Sequence, residues 1–272
     1  MSRYGYKDDL LILPIVGQQV IYDAYKQALM AGVPAKNAVI LIDEQSCAPI
    51  AEDARKQGYA IALSVEKTAQ EEFQFEYGDE SGALVKALVR YNPEGDAALN
   101  RRQLERLKRL GDHLQGTGIK YMLELLNPPT QDQMARCGGS QATFDLDLRP
   151  QLMLTAMKEI QGAGVEPDVW KLDGVETAGD CRKVSELARS SAHRGDVGII
   201  VLGRGESVEK VKAWLTVVAQ VPGLIGFTMG RGMLWAPITA LNDGIITRAE
   251  AVHRIATTYG DLCNHWLAAK AR

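Results

Sequence analysis

The 272-residue chain has few residues that bind transition metals or form disulfides. The cysteines, which include no CxxC pair, are Cys47, Cys137, Cys181 and Cys263. The histidines, which include no HExxH pattern, are His113, His193, His253 and His265. These spacings match neither a zinc site nor a disulfide framework. We therefore predict no metal and no other cofactor.

A basic excess is also absent, since 31 lysines and arginines stand against 34 aspartates and glutamates. This balance gives no indication of nucleic-acid binding. No apolar run reaches the length of about 18 residues that a membrane helix requires. The segment Met1–Asp9 is polar and lacks the apolar centre of a signal peptide. We expect a cytoplasmic protein with no nucleic-acid or membrane partner.

Short apolar runs alternate with amphipathic segments along the whole chain. The runs that predict strands are Leu10–Ile15, Ala38–Ile42, Tyr59–Val65, Leu84–Tyr91, Lys120–Leu126, Val169–Leu172, Val197–Leu202 and Leu224–Met229. The segments that predict helices are Val20–Ala31, Asn100–Leu114, Gln151–Gln161, Ala178–Ala192, Ser207–Gln220 and Arg248–Lys270. Eight strand–helix units in about 250 residues are typical of a (β/α)8 barrel. No GxGxxG follows the first strand, which counts against an open doubly wound sheet. We predict one barrel domain over residues 1–272.

A single lysine, Lys171, interrupts the apolar run of the sixth predicted strand. Burial in such a strand lowers the pKa of a lysine and leaves a neutral amine that can attack a carbonyl. The pattern therefore indicates Schiff-base chemistry. The alternative is a lysine that reaches solvent from a strand end or pairs with a carboxylate.

Further charged residues fall in or just after the other predicted strands, where a barrel collects its active site. They are Asp43, Glu44, Glu66, Lys67, Lys86, Arg90 and Glu124. Apolar residues flank Glu124 on both sides, which indicates a general acid/base or a structural salt bridge. Asp43 and Glu44 have the alternative role of capping the next helix, and Glu66 with Lys67 that of a surface pair.

Two Gly-Arg-Gly turns follow the last two predicted strands, Gly203-Arg204-Gly205 and Gly230-Arg231-Gly232. Barrels frequently bind phosphate with the loops in these places. Glycine lets backbone N–H groups approach an anion, and arginine adds a bidentate donor. The alternative is a pair of ordinary turns whose arginines pair with nearby acids. Cations at Arg204, Arg231 and Lys86 would also lower the pKa of Lys171.

The residues around these candidates resemble those of a known family. The runs that carry the resemblance are Leu88–Pro93, Glu124–Leu126, Glu166–Lys171, Ile200–Gly205 and Gly226–Arg231. They resemble the domain of unknown function 2090, which occurs fused behind 5-dehydro-2-deoxygluconokinase in inositol catabolism. That domain is similar to the class I tagatose-bisphosphate aldolases, which are (β/α)8 barrels.

The resemblance implies roles for individual residues. Lys171 matches the Schiff-base lysine, Glu124 the acid/base glutamate, and Lys86 a strand-4 lysine that lines the site. Gly230 and Arg231 match a phosphate-binding turn. Related barrels end strand 1 in Asp-His-Arg or Asp-Gln-Arg, whereas this chain reads Pro14-Ile15-Val16-Gly17-Gln18-Gln19. Here Gln18 or Gln19 would donate hydrogen bonds to a sugar hydroxyl or carboxylate.

The resulting hypothesis is a class I aldolase for a phosphorylated keto-sugar or keto-sugar acid. The family context favours 2-deoxy-5-keto-gluconate 6-phosphate, cleaved to dihydroxyacetone phosphate and malonate semialdehyde. The alternatives are an aldolase for tagatose bisphosphate or a sulfosugar phosphate, a metal-dependent aldolase using Asp43, Glu66 and Glu124, and a barrel that binds a sugar phosphate without cleaving it. The resemblance also implies a homo-oligomer.

Overall fold

The computed structural model describes residues 3–66, 70–74, 84–173, 177–203 and 205–272, without the side chains of residues 44 and 45. Its strands are β1 (Leu10–Pro14), β2 (Ala38–Asp43), β3 (Ala60–Ser64), β4 (Leu84–Arg90), β5 (Lys120–Leu126), β6 (Val169–Asp173), β7 (Gly198–Leu202) and β8 (Leu224–Thr228). They follow one another in sequence order around a closed barrel. The (β/α)8 fold is thus confirmed. Each predicted strand agrees with the observed one to within one residue at each end.

Helices connect the strands. Their bounds are α1 (Gln19–Met30), α2 (Glu44–Gln57), α3 (Ala97–Leu114), α4 (Gln131–Arg136), α5 (Gln141–Thr143, continued by a wide turn over Phe144–Leu148), α6 (Arg149–Gly162), α7 (Ala178–Ala188), α8 (Val208–Val218), α9 (Arg231–Asn242) and α10 (Arg248–Lys270). The helix predicted to reach Ala192 ends at Ala188, before a short 3-10 turn.

Helices α2, α4, α5 and α9 were not predicted, and two of them, α2 and α9, contain a proline in their interior. Proline removes a helix hydrogen bond, so Pro49 and Pro237 argue against a helix when the sequence is taken alone. In α2 the two ends offset this cost. The Asp43 carboxylate accepts a hydrogen bond from the Ser46 backbone N–H at 2.8 Å, and Gly58 ends the helix in the left-handed conformation (φ 71°).

The chain contacts define two compact units. The first comprises Met1–Lys7 and Val65–Ile199, and it contains β4, β5 and β6. In this unit Leu88 pairs with Glu124, and Glu124 pairs with Lys171, in a parallel register. Because strand side chains alternate between faces, Lys86 shares the face of Leu88 one layer closer to the strand starts. The register therefore brings the charged residues of three strands to one face.

The second unit comprises Asp8–Ser64 and Ile200–Arg272, with β1, β2, β3 and β8 paired in parallel. Two buried tyrosines hydrogen-bond its strands. The Tyr25 hydroxyl donates to the carbonyl of Ala38 at 3.0 Å, and the Tyr259 hydroxyl donates to the carbonyl of Leu11 at 2.7 Å. Gly226 lies so close to the backbone of Leu10 that any Cβ at this position would overlap it.

Among the described residues, no helix is long and apolar enough to span a membrane.

Candidate active site

Four buried charged side chains meet inside the first unit. The Lys171 Nζ lies 2.9 Å from Glu124 Oε2, and the Lys86 Nζ lies 3.2 Å from the same oxygen. Lys86 also donates to Glu66 Oε1. Each of these side chains is at most 9% exposed. The charges therefore alternate in the order Glu66, Lys86, Glu124, Lys171, and we call these residues the charged cluster.

Strand register explains why the cluster forms. Glu124 and Lys171 are direct partners on neighbouring strands, so their side chains leave the sheet side by side. Lys86 is long enough to reach the shared carboxylate from the layer below. Glu66 comes just after β3 in the sequence. The residue before it, Val65, is held beside β4 because its backbone N–H donates a hydrogen bond to the carbonyl of Lys86, at 3.1 Å. Buried charges are tolerated here because each has an opposite partner.

The two lysines differ in their electrostatics. Burial lowers the pKa of Lys171, the Lys86 charge lowers it further, and the opposing attraction of Glu124 does not restore it. Burial also acts on Lys86, but Glu124 and Glu66 outweigh it and raise its pKa. Burial acts against ionised Glu124, but Lys171 and Lys86 outweigh it and hold the Glu124 pKa well below its usual range. Lys171 is thus the lysine that more readily loses its proton.

Charged residues also stand at the strand ends beyond the cluster. Arg90 is two residues after Leu88 on β4 and donates through its guanidinium to the carbonyl of Gln70. Asp173 is two residues after Lys171 on β6 and pairs with buried Arg149. Arg149 and Asp173 were not predicted as site residues. The available signal was the two-residue spacing from Lys171, which places Asp173 on the same strand face.

The described residues of the two Gly-Arg-Gly turns lie close to each other. The Gly203 N–H donates to the carbonyl of Thr228 at 3.1 Å, which joins the turn after β7 to the end of β8. A Cβ added to Gly205 would lie 3.8 Å from Arg231 Nε. Arg231 is exposed and begins α9 directly after Gly230. This grouping is compatible with the anion-binding interpretation, which stays a prediction.

The remaining predicted residues have individual placements. Gln18 is half-buried and precedes α1 without capping it through its side chain, while Gln19 Nε2 donates to Asp23 at 3.1 Å. Asp43 caps α2, one of its two predicted roles. Lys67 and Arg204 lie outside the described residues, and so does the side chain of Glu44.

The interpretation of Glu66 as part of a surface pair is wrong, because its side chain is only 9% exposed and bonds to Lys86. Both Glu66 and Glu124 have lysine as their partner. In the described part of the chain, no group of three or more histidine, cysteine, aspartate or glutamate side chains is arranged to hold a metal ion.

Solved structures share this fold at low sequence identity. A crystal structure of Cgl0159 from Corynebacterium glutamicum is 16% identical, with a TM-score of 0.57, and the match covers 96% of this chain and 88% of that one. A fructose-bisphosphate aldolase from Slackia heliotrinireducens is 12% identical, with a TM-score of 0.55, covering 91% and 85%. At these identities the similarity concerns the fold alone.

A search of curated proteins finds no match to this chain. A family model, in contrast, matches residues 17–270, which is nearly the whole sequence. Its description is "Uncharacterized protein conserved in bacteria (DUF2090)". The charged cluster and both Gly-Arg-Gly turns lie inside the matched range. The chain belongs to the DUF2090 family.

Proposed function

We propose that the protein is a class I aldolase that cleaves a phosphorylated keto-sugar or keto-sugar acid through an imine on Lys171. The observation that carries the proposal is the buried contact between Lys171 Nζ and Glu124 Oε2, at 2.9 Å, on adjacent barrel strands. A lysine with a lowered pKa supplies a neutral amine, and a carboxylate beside it supplies a proton acceptor.

The reaction needs only these groups and water. The neutral amine of Lys171 adds to the ketone carbonyl to form a carbinolamine. The carbinolamine takes one proton from water and loses a water molecule, which leaves a protonated imine, and the later hydrolysis returns that proton to water. Glu124, which its lysine neighbours hold ionised, takes the proton from the hydroxyl on the carbon β to the imine carbon. The bond between the α and β carbons breaks, the aldehyde leaves, and the imine takes up the electron pair as an enamine. Protonation of the α carbon and hydrolysis release the ketone and restore Lys171.

For the substrate, we propose 2-deoxy-5-keto-gluconate 6-phosphate, with dihydroxyacetone phosphate and malonate semialdehyde as products. Support comes from the sequence resemblance and from the two Gly-Arg-Gly turns. An arginine at the start of a 12-residue helix, beside glycine-rich turns, suits a phosphate group. Tagatose bisphosphate and sulfosugar phosphates also carry a ketone and a phosphate group, so they are the comparison substrates.

The test is borohydride reduction in the presence of each candidate ketone, followed by peptide mass mapping. We expect a stable adduct on Lys171, since borohydride reduces an imine to an amine. Lys120→Met is the matched control, because Lys120 is a β5 lysine paired with a carboxylate, Asp168, at 3.0 Å outside the cluster. That variant should form the adduct at the wild-type rate. If none of the candidate ketones gave an adduct on Lys171, the proposal would be contradicted.

A further inference from the structure

We infer that Glu66 determines which of the two buried lysines becomes the nucleophile, by holding Lys86 in its ammonium form. The inference rests on the proposed imine chemistry and adds a positioning residue to it. Glu66 is expected to act through Lys86, with no direct part in bond cleavage.

The two lysines have nearly equal surroundings apart from Glu66. Their side chains are equally buried, at 5% exposed each. Both contact the same Glu124 oxygen, at 2.9 Å from Lys171 and 3.2 Å from Lys86. Among the described residues, Lys86 alone of the two lysines contacts a second carboxylate, because Glu66 Oε1 accepts its hydrogen bond. The asymmetry between the lysines therefore depends on one residue.

Charge balance shows why this matters. Without Glu66, two ammonium groups would share the single carboxylate of Glu124, and either lysine could lose a proton to relieve the repulsion. Glu66 gives Lys86 two carboxylate partners and leaves Lys171 with one. The proton is then lost from Lys171, while the retained charge on Lys86 keeps the pKa of Lys171 low.

The surroundings of Glu66 direct its charge to Lys86. Among the described residues, its second carboxylate oxygen is buried and has no hydrogen-bond partner. Tyr121 on β5 also experiences the Glu66 charge, but burial is the larger cause of its raised pKa. The charged groups that act on Lys171 are Glu124 from β5, Lys86 from β4 and Glu66. Glu66 can be changed while Glu124, the direct partner of Lys171, and Lys86 itself both stay in place.

The experiment maps where dihydroxyacetone and borohydride label the protein from about pH 6 to about pH 9. In the wild type we expect the adduct on Lys171 and not on Lys86. In Glu66→Gln, Lys86 loses a direct partner, and the Lys171-to-Lys86 adduct ratio should fall by roughly tenfold or more.

Two variants separate this effect from loss of structure. Glu66→Asp keeps the carboxylate on a side chain one methylene shorter, and it should give an intermediate Lys171-to-Lys86 adduct ratio. Glu166→Gln removes another carboxylate of the first unit, the ion-pair partner of Arg194, and should leave the ratio unchanged. Thermal unfolding reports whether each variant is folded.

The outcomes distinguish this inference from the proposed function. An unchanged adduct ratio in folded Glu66→Gln would overturn the role of Glu66 and leave the aldolase proposal standing. Equal labelling of Lys86 and Lys171 in the wild type would also overturn it, even if Glu66→Gln does not fold. No adduct on Lys171 in the wild type, with dihydroxyacetone or with any of the candidate ketones, would overturn both.

Discussion

The strands of the two units differ in what they bury. Strands β4, β5 and β6 of the first unit bury Lys86, Glu124 and Lys171 among their apolar residues. Strands β1, β2 and β8 of the second unit bury no charged residue, and Thr228 is their one buried polar residue. Both sets belong to the same barrel and were predicted with equal accuracy from short apolar runs.

Buried charges and buried apolar residues are expected to contribute to different properties of the protein, the first to reactivity and the second to stability. A buried ion pair gives little net stability, because desolvation of both charges offsets their attraction. Apolar packing contributes about 25 cal/mol for each Å² of surface removed from water. We therefore expect substitutions in the charged cluster to change reactivity, with a stability cost where they leave a buried charge unpaired. Substitutions in the second-unit strands should change stability alone.

The largest effect is expected from Lys171→Met, which should abolish imine formation and turnover. Methionine is apolar and close to lysine in length, so it suits a buried strand position. Borohydride trapping and turnover measure the loss, and thermal unfolding shows that the fold remains. Turnover in a folded Lys171→Met protein would contradict the imine mechanism.

Glu124→Gln should lower turnover by roughly 10²–10⁴-fold, the range for a positioned general acid/base. The substitution keeps the shape but removes the proton acceptor 2.9 Å from Lys171 Nζ. Imine formation should slow less than cleavage, so the adduct should remain trappable in single-turnover experiments. If cleavage instead ran at the wild-type rate, Glu124 would be a structural ion-pair partner.

Arg231→Ala should weaken the binding of phosphorylated substrates by roughly ten- to a hundredfold, since a charge-assisted hydrogen bond contributes about 1.5–3 kcal/mol. Arg231→Lys should restore part of the loss, because a point charge cannot reproduce the bidentate fork. The measurement is kcat/KM for a phosphorylated substrate and for its dephosphorylated form. An equal loss on both would show that Arg231 does not bind the phosphate.

Tyr259→Phe should have the smallest effect, and only on stability. It removes the 2.7 Å hydrogen bond to the Leu11 carbonyl, and we expect the free energy of unfolding to fall by about 0.5–1.5 kcal/mol. Tyr25→Phe, which removes the corresponding bond to Ala38, is the matched variant. Urea unfolding measures both. Slower imine trapping in these variants, with unchanged stability, would contradict the separation of chemistry from stability.

The sequence by itself determined the strands and the central pair of the site. Alternating apolar runs and amphipathic segments predict a parallel barrel, since strands and helices bury their residues with different periods. Lys171 and Glu124 were detectable because each is a charge within an otherwise apolar strand. Helices α2 and α9 were missed because their interior prolines oppose helix formation locally, and in α2 the end caps act in its favour.

Only the tertiary structure determined which residue each charged side chain contacts. Glu66 and Lys86 are 20 residues apart, and Glu124 and Lys171 are 47 apart, so nothing local to either residue specifies the contact. Strand register brings them together, and their burial gives the contacts electrostatic strength. The same holds for Arg149 and Asp173, which join the start of a helix to the end of a strand. A charge in an apolar run marks a candidate residue, but its pKa depends on neighbours that only the fold supplies.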